Sequence, residues 1–233
     1  MAKQEHLILV REGAKSFSKW RLENPGVALD LEGADLAGID LAGCKIRNAN
    51  LSGANLSGAR LSRTSFAGAD LTGANFEGAD MGRATLTGAD ASGANLTNVN
   101  LYWADLKRAT LRSIVLRSSR LVRTCFLGAD LTGADFNQAT MLEVDLRSTD
   151  LTNACFHAAN MNGADMDRAV MAGADFTRAM IRDSMWTSAD MRGANFDRAS
   201  LHRSDLSMAK YDDTTRFPKG FDPENTGEKD VTD

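Results

Sequence analysis

Between positions 31 and 211 an apolar residue, large everywhere but at Ala91, recurs at every fifth position without a slip, from Leu31, Leu36, Leu41 and Ile46 to Leu201, Leu206 and Tyr211. Of the 37 units so defined, 19 have Leu at the centre, 7 Phe, 6 Met and 2 Ile, so the centres form an unbroken apolar row. Two residues before the centre stands Ala in 25 of the 37 units, a second position suited to a core. An α-helix repeats near 3.6 residues and a strand near 2, so period five belongs to neither and calls for a solenoid.

A longer period lies above the first. Phe occupies the centre at 76, 136, 156, 176 and 196, all separated by multiples of 20. Like positions therefore stack every 20 residues, with four units per coil and two inward side chains per side. The Phe column becomes a ladder up one inner wall. Neighbouring coils must hydrogen-bond as strands do to satisfy their backbone. At roughly 4.8 Å per coil, about nine coils give a rod on the order of 45 Å long. Asp or Asn precedes the centre in 22 units and Gly follows it by two in 15. Both are corner residues, the first through side-chain bonds to nearby backbone, the second through conformational freedom.

Written as Ala-Asp-Leu-Thr-Gly at 129–133 or Ala-Asn-Leu-Ser-Gly at 54–58, the repeat resembles that of the pentapeptide-repeat family over about four-fifths of the chain. The resemblance implies an all-β solenoid, a right-handed quadrilateral β-helix; periodicity alone gives no hand. The ends are different material. Leu7, Val10, Ala14, Phe17 and Trp20 follow a 3-and-4 spacing that predicts an amphipathic helix over 4–23, which Gly13 can split and Asn-Pro-Gly at 24–26 stops. A solenoid end exposes an open edge and an apolar core, so a lid is required; the helix is read as that cap or as a partner-binding element. At the other end Phe217 or Phe221 is expected to close the last coil, with a polar, disordered tail from Glu224. The division is thus 1–28 helical cap, 29–213 β-helix, and 214–233 closing loop and tail.

Composition narrows function mainly by exclusion. Net charge is −4, and no stretch approaches the roughly 18 apolar residues of a membrane span. The opening Met-Ala-Lys-Gln-Glu lacks a signal peptide's apolar core, which reads as a soluble cytoplasmic protein. Cys44 points inward, whereas Cys125 and Cys155 point outward on opposite sides of the rod, so no internal disulfide is expected. His6, His157 and His202 lie far apart and match no metal spacing. The aspartates belong to the repeat, the glycines form no phosphate loop, and a rod filled with Leu and Phe offers no pocket. No enzyme, metal or cofactor is expected.

Function then lies on the outer faces, which the 20-residue register sorts. The face through Leu31, Leu51 and Leu71 sums to −6, and the third face, through Leu41, Leu61 and Met81, to +3. On the acidic face Asp70, Asp90, Asp130 and Asp150 stand in one column. Regular negative charge along a rod can imitate nucleic-acid phosphates, although Asp also simply meets the turn requirement. On the third face Arg83, Trp103 and Arg123 share an outward column beside another of Tyr102, Val122 and Leu142. Aromatic and Arg side chains together are typical of interface hot spots. Between 99 and 126, six basic residues (Lys107, Arg108, Arg112, Arg117, Arg120, Arg123) face one acid, Asp105.

Three readings follow. The resemblance reaches Qnr-type quinolone-resistance proteins, which implies a DNA-mimicking rod bound to a type II topoisomerase, DNA gyrase or topoisomerase IV. This chain departs from those members in having no loop that interrupts the register and no long C-terminal dimerisation helix. The second reading is a protein–protein scaffold acting through the Tyr102/Trp103 patch, a homodimer included. Direct nucleic-acid binding through the mid-rod arginines is disfavoured by the opposite acidic face.

Overall fold

In the computed structural model, residues 2–223 are described. The expected tail from Glu224 lies outside them. Each residue preceding a centre pairs in parallel with the residue 20 positions on, from Asp30 with Asn50 through to Asp190 with Lys210. The unit 69–73 shows why five residues suffice, because every backbone N–H in it has an acceptor. Leu71 and Gly73 donate to the next coil, at Asp90 O (2.6 Å) and Ser92 O (2.9 Å), and Asp70 donates to the previous one at Ala49 O (2.9 Å). Ala69 closes a turn onto Phe66 O (2.9 Å), and the remaining donor, Thr72 N–H, is taken by the Asp70 carboxylate at 3.0 Å. Asp or Asn before the centre is therefore a backbone acceptor first.

Two residues after the centre the backbone turns left-handed, with φ +63° at Gly73 and near +55° to +60° at many residues that are not glycine, Arg83 and Trp103 among them. The centres and the residues two before them fill the interior, nearly all fully buried. Where Thr or Ser replaces the inner Ala, its hydroxyl bonds to a backbone carbonyl, of the preceding coil for Thr64 on Leu41 (2.7 Å) and Thr124 on Leu101 (2.8 Å), and of the same coil for Thr149 on Leu146 (2.5 Å). The Phe ladder is continuous: Phe136, Phe156, Phe176 and Phe196 stack at 4.8, 4.6 and 4.8 Å with nearly parallel rings.

Both ends are covered. The helix expected over 4–23 is two, α1 (Gln4–Arg11) and α2 (Ala14–Glu23), broken at Gly13 with φ +93°. Val10 and Phe17 are fully buried against the first coil. Its open edge is met by Ala2 N–H on Glu32 O (2.9 Å) and Lys3 N–H on Asp30 O (3.1 Å), while buried His6 accepts Asp30 N–H at Nδ1 (2.9 Å). At the far end one expectation is corrected. Tyr211, in register as a centre, is 39% exposed: Lys210 still pairs with Asp190, but beyond Tyr211 the chain takes a 21-residue step and Asn195 pairs with Arg216. The residue 21 past Phe196 is Phe217, which inherits the inner column and stacks on Phe196 at 5.8 Å, with Tyr211 and Phe221 packed on it.

Candidate docking surface

The third-face patch is built by the turn geometry. Trp103 occupies a left-handed corner, φ +57°, and its indole is 51% exposed. One coil on, the Arg123 guanidinium lies 5.7 Å from the indole ring centre. Arg123 is itself held by a two-pronged pair with Glu143 a further coil on, Nε to Oε2 at 2.8 Å and Nη2 to Oε1 at 3.3 Å. That pairing raises the Arg123 pKa and lowers that of Glu143. Arg83 shares the column on the other side of Trp103, and its backbone N–H donates to Tyr102 O at 2.8 Å. Tyr102, expected to project freely, is half-buried beside half-buried Val122 and Leu142. Its ring sits 6.2 Å from that of Trp103 and 5.2 Å from the Arg120 guanidinium. The result is two aromatic rings, each with an arginine over it, a surface able to bury apolar area and stack against a partner.

The acidic column is less uniform than its sequence. Asp70 pairs with Asp90 and Asp130 with Asp150 across neighbouring coils, but Thr110 interrupts them. All four carboxylates accept the N–H two residues on. Asp70, Asp90 and Asp150 remain exposed, whereas Asp130 is half-buried and takes the Arg112 guanidinium at 2.5 Å. Burial opposes ionisation of Asp130, yet bonds from Thr132 and Arg112 outweigh it and hold the carboxyl below its ordinary range. The mid-rod basic cluster is similarly spoken for. Arg112 pairs with Asp130, Arg117 with Asp135 (2.5 Å) and Lys107 with Asp105 (3.6 Å).

Other chemistry is sparse. Burial pushes all three free thiols, Cys44, Cys125 and Cys155, to higher pKa. Among the described residues no cluster of His, Cys, Asp and Glu could hold a metal ion, and no helix is long and apolar enough to cross a membrane.

Stacked four-sided coils, paired every 20 residues and carrying an aromatic patch on one outer face, define a solenoid. The profile described as pentapeptide repeats matches in eight copies, running from 29–63 to 187–210, and the chain belongs to this family. Its coils agree with the right-handed quadrilateral β-helix of that family. Among solved structures it is similar to QnrB1, a plasmid-mediated fluoroquinolone resistance protein, at 22% identity over 80% of this chain and 91% of that one, TM-score 0.43. It is also similar to AT2G44920, a pentapeptide repeat protein of the Arabidopsis thaliana thylakoid lumen, at 35% identity over 45% of this chain and 66% of that one, TM-score 0.34. A third is HetL of the cyanobacterium Nostoc sp. strain PCC 7120, involved in heterocyst differentiation regulation, at 27% identity over 82% and 92% of the two chains, TM-score 0.26. No curated protein sequence matches the chain.

Proposed function

We propose that this chain is a non-enzymatic protein-binding rod that docks its partner through the third-face patch of Tyr102, Trp103 and Arg123, flanked by Arg83, Val122 and Leu142. One observation carries the reading. An exposed indole occupies a left-handed corner, φ +57°, where the fold is best served by Gly, and a braced arginine lies over it. Trp103→Ala leaves the core untouched. It is expected to keep the melting temperature while weakening the complex by about 2 kcal/mol or more. Sedimentation of wild type and variant tests self-association first, and capture of a cytoplasmic partner second. Identical behaviour of both proteins in both assays would return Trp103 to the solvated surface.

A second reading, a DNA-mimicking rod bound to DNA gyrase or topoisomerase IV, is favoured by the exposed carboxylates of Asp70, Asp90 and Asp150 in one column. The patch reading is preferred because Arg112 neutralises Asp130 and Thr110 breaks the column.

A further inference from the structure

Many surface arginines of the rod meet a carboxylate, as Arg147 does with Asp145, Arg192 with Asp190 and Arg203 with Asp183. The seam between the cap and the first coil breaks that habit. A cavity of about 450 Å³ opens there, walled by Arg21 of α2, the linker 25–28, and Lys45, Arg47 and Asn48 at the start of the fourth face. Three cations line it and no carboxylate does. None of the three forms an ion pair among the described residues.

Arg21 is fixed in the back wall. Its Nη1 donates to Asn24 O (3.1 Å) and Val27 O (2.5 Å), and its guanidinium lies 5.6 Å over Phe17 and 5.0 Å over Trp20. Its Nε and Nη2 are buried without a hydrogen-bond partner, and desolvation pulls its pKa down. Arg21 as a whole is half-buried, and the buried, unmet donors of a cation are costly unless opposite charge is close. In front of it Lys45 and Arg47 are exposed, Arg47 using only Nε, on Ser65 Oγ at 3.1 Å. The Asn48 side chain lies across Gly68, where a Cβ would come within 2.4 Å of its Oδ1, so the absence of a side chain at 68 gives the amide its place at the rim.

We propose that this seam binds a small multivalent oxyanion, a phosphate ester or a polycarboxylate, gripped by Lys45, Arg47 and the Asn48 amide against the positive wall that Arg21 provides. The cavity falls within the range of small-molecule sites, about 300–1,000 Å³, and is roomier than a bare phosphate needs. Arg21 contributes field rather than a direct bond, since its free donors are shielded; the exposed cations make the contacts. An occupant would also tie the 25–28 linker to the first coil and so fasten the cap.

Calorimetric titration of the full chain with inorganic phosphate, pyrophosphate and citrate at constant ionic strength tests this. The expected result is saturable binding of at least one of them, with the pyrophosphate and citrate arms separating phosphate from carboxylate ligands. Lys45→Gln with Arg47→Gln is expected to weaken that binding at least about tenfold and to abolish the ligand-induced rise in melting temperature. Arg47→Lys, which keeps the charge, is expected to retain it. Both altered side chains are exposed, so the ligand-free variant should melt like the wild type. The absence of saturable heat with all three anions, or equal affinity in the double variant, would overturn the proposal. Trp103→Ala should bind these anions unchanged, which separates this site from the docking surface.

Discussion

Phe156 offers the sharpest test of the stacked interior. Its ring lies between Phe136 and Phe176 at 4.8 and 4.6 Å, within 4° and 2° of parallel, and is fully buried. Phe156→Ala removes that ring from a wall that cannot close over the gap. The coils on either side are pinned by bonds from Phe136 N–H to Cys155 O and from Phe156 N–H to Asp175 O, each 2.7 Å. Loss of a fully buried Phe costs about 1.5–3 kcal/mol in transfer free energy. Two stacked contacts add about 0.5–1.5 kcal/mol each. Together these give about 2.5–6 kcal/mol, which brackets the about 3–5 kcal/mol of Phe truncations in unyielding cores. In a solenoid it falls at one junction between neighbouring coils, so the two parts of the rod should also uncouple. Urea unfolding followed by circular dichroism and by tryptophan fluorescence reads both effects. Trp186, buried beside Phe176 and Phe196, reports on the C-terminal part. A variant that unfolds within about 1 kcal/mol of wild type would refute the ladder as a source of stability.

Three further outcomes are expected. Replacing Asp70, Asp90, Asp130 and Asp150 together by Asn should preserve folding by circular dichroism, because an amide oxygen accepts the same turn N–H; a topoisomerase effect of the parent that persists undiminished in a supercoiling assay would remove charge mimicry as its cause. Asp80, Asp130, Asp145 and Asp190 have depressed pKa values, burial being outweighed at the first three by hydrogen bonds and Arg192 leading at the last. Their stabilisation is complete above the ordinary carboxylate range and is lost as pH falls through the lowered values, so the melting temperature should be level above about pH 5 and drop below about pH 4; a rise on acidification would contradict the assignment. Phe217→Ala should cost about 1–3 kcal/mol and speed hydrogen exchange at Phe196, since it uncovers that ring; unchanged exchange would mean that Phe217 is no lid.

Period and stacking were legible because a five-residue unit repeats its chemistry in the sequence itself. The N-terminal helices were legible too, from the spacing of Val10 and Phe17 and from the break at Gly13. What escaped the reading was set by contacts 18 to 21 residues apart between positions that carry no repeat signal. Arg112 and Arg117 looked unopposed in their own stretch, yet their acids, Asp130 and Asp135, arrive one coil later. Glu143, which braces Arg123, could have been found by counting 20 residues on. Tyr211 misled because its spacing was right; the extra residue that shifts Arg216 onto Asn195 has no marker in apolar periodicity. His6 carried no signal either, being one polar residue in a helix whose buried face was otherwise apolar.

The 20-residue pairing also acts as a ruler for change in length. A duplication or deletion of 20 residues would leave every later residue on its own face and every column intact. One of five residues would keep each centre inside, and so could fold, but it would turn all that follows by a quarter of the circumference. Placed between Trp103 and Arg123, such an event would carry the arginine round the corner from the indole. Selection on the outer surface can therefore accept whole coils where selection on the interior accepts any whole unit. The single extra residue before Arg216 is tolerated because only the closing segment follows it.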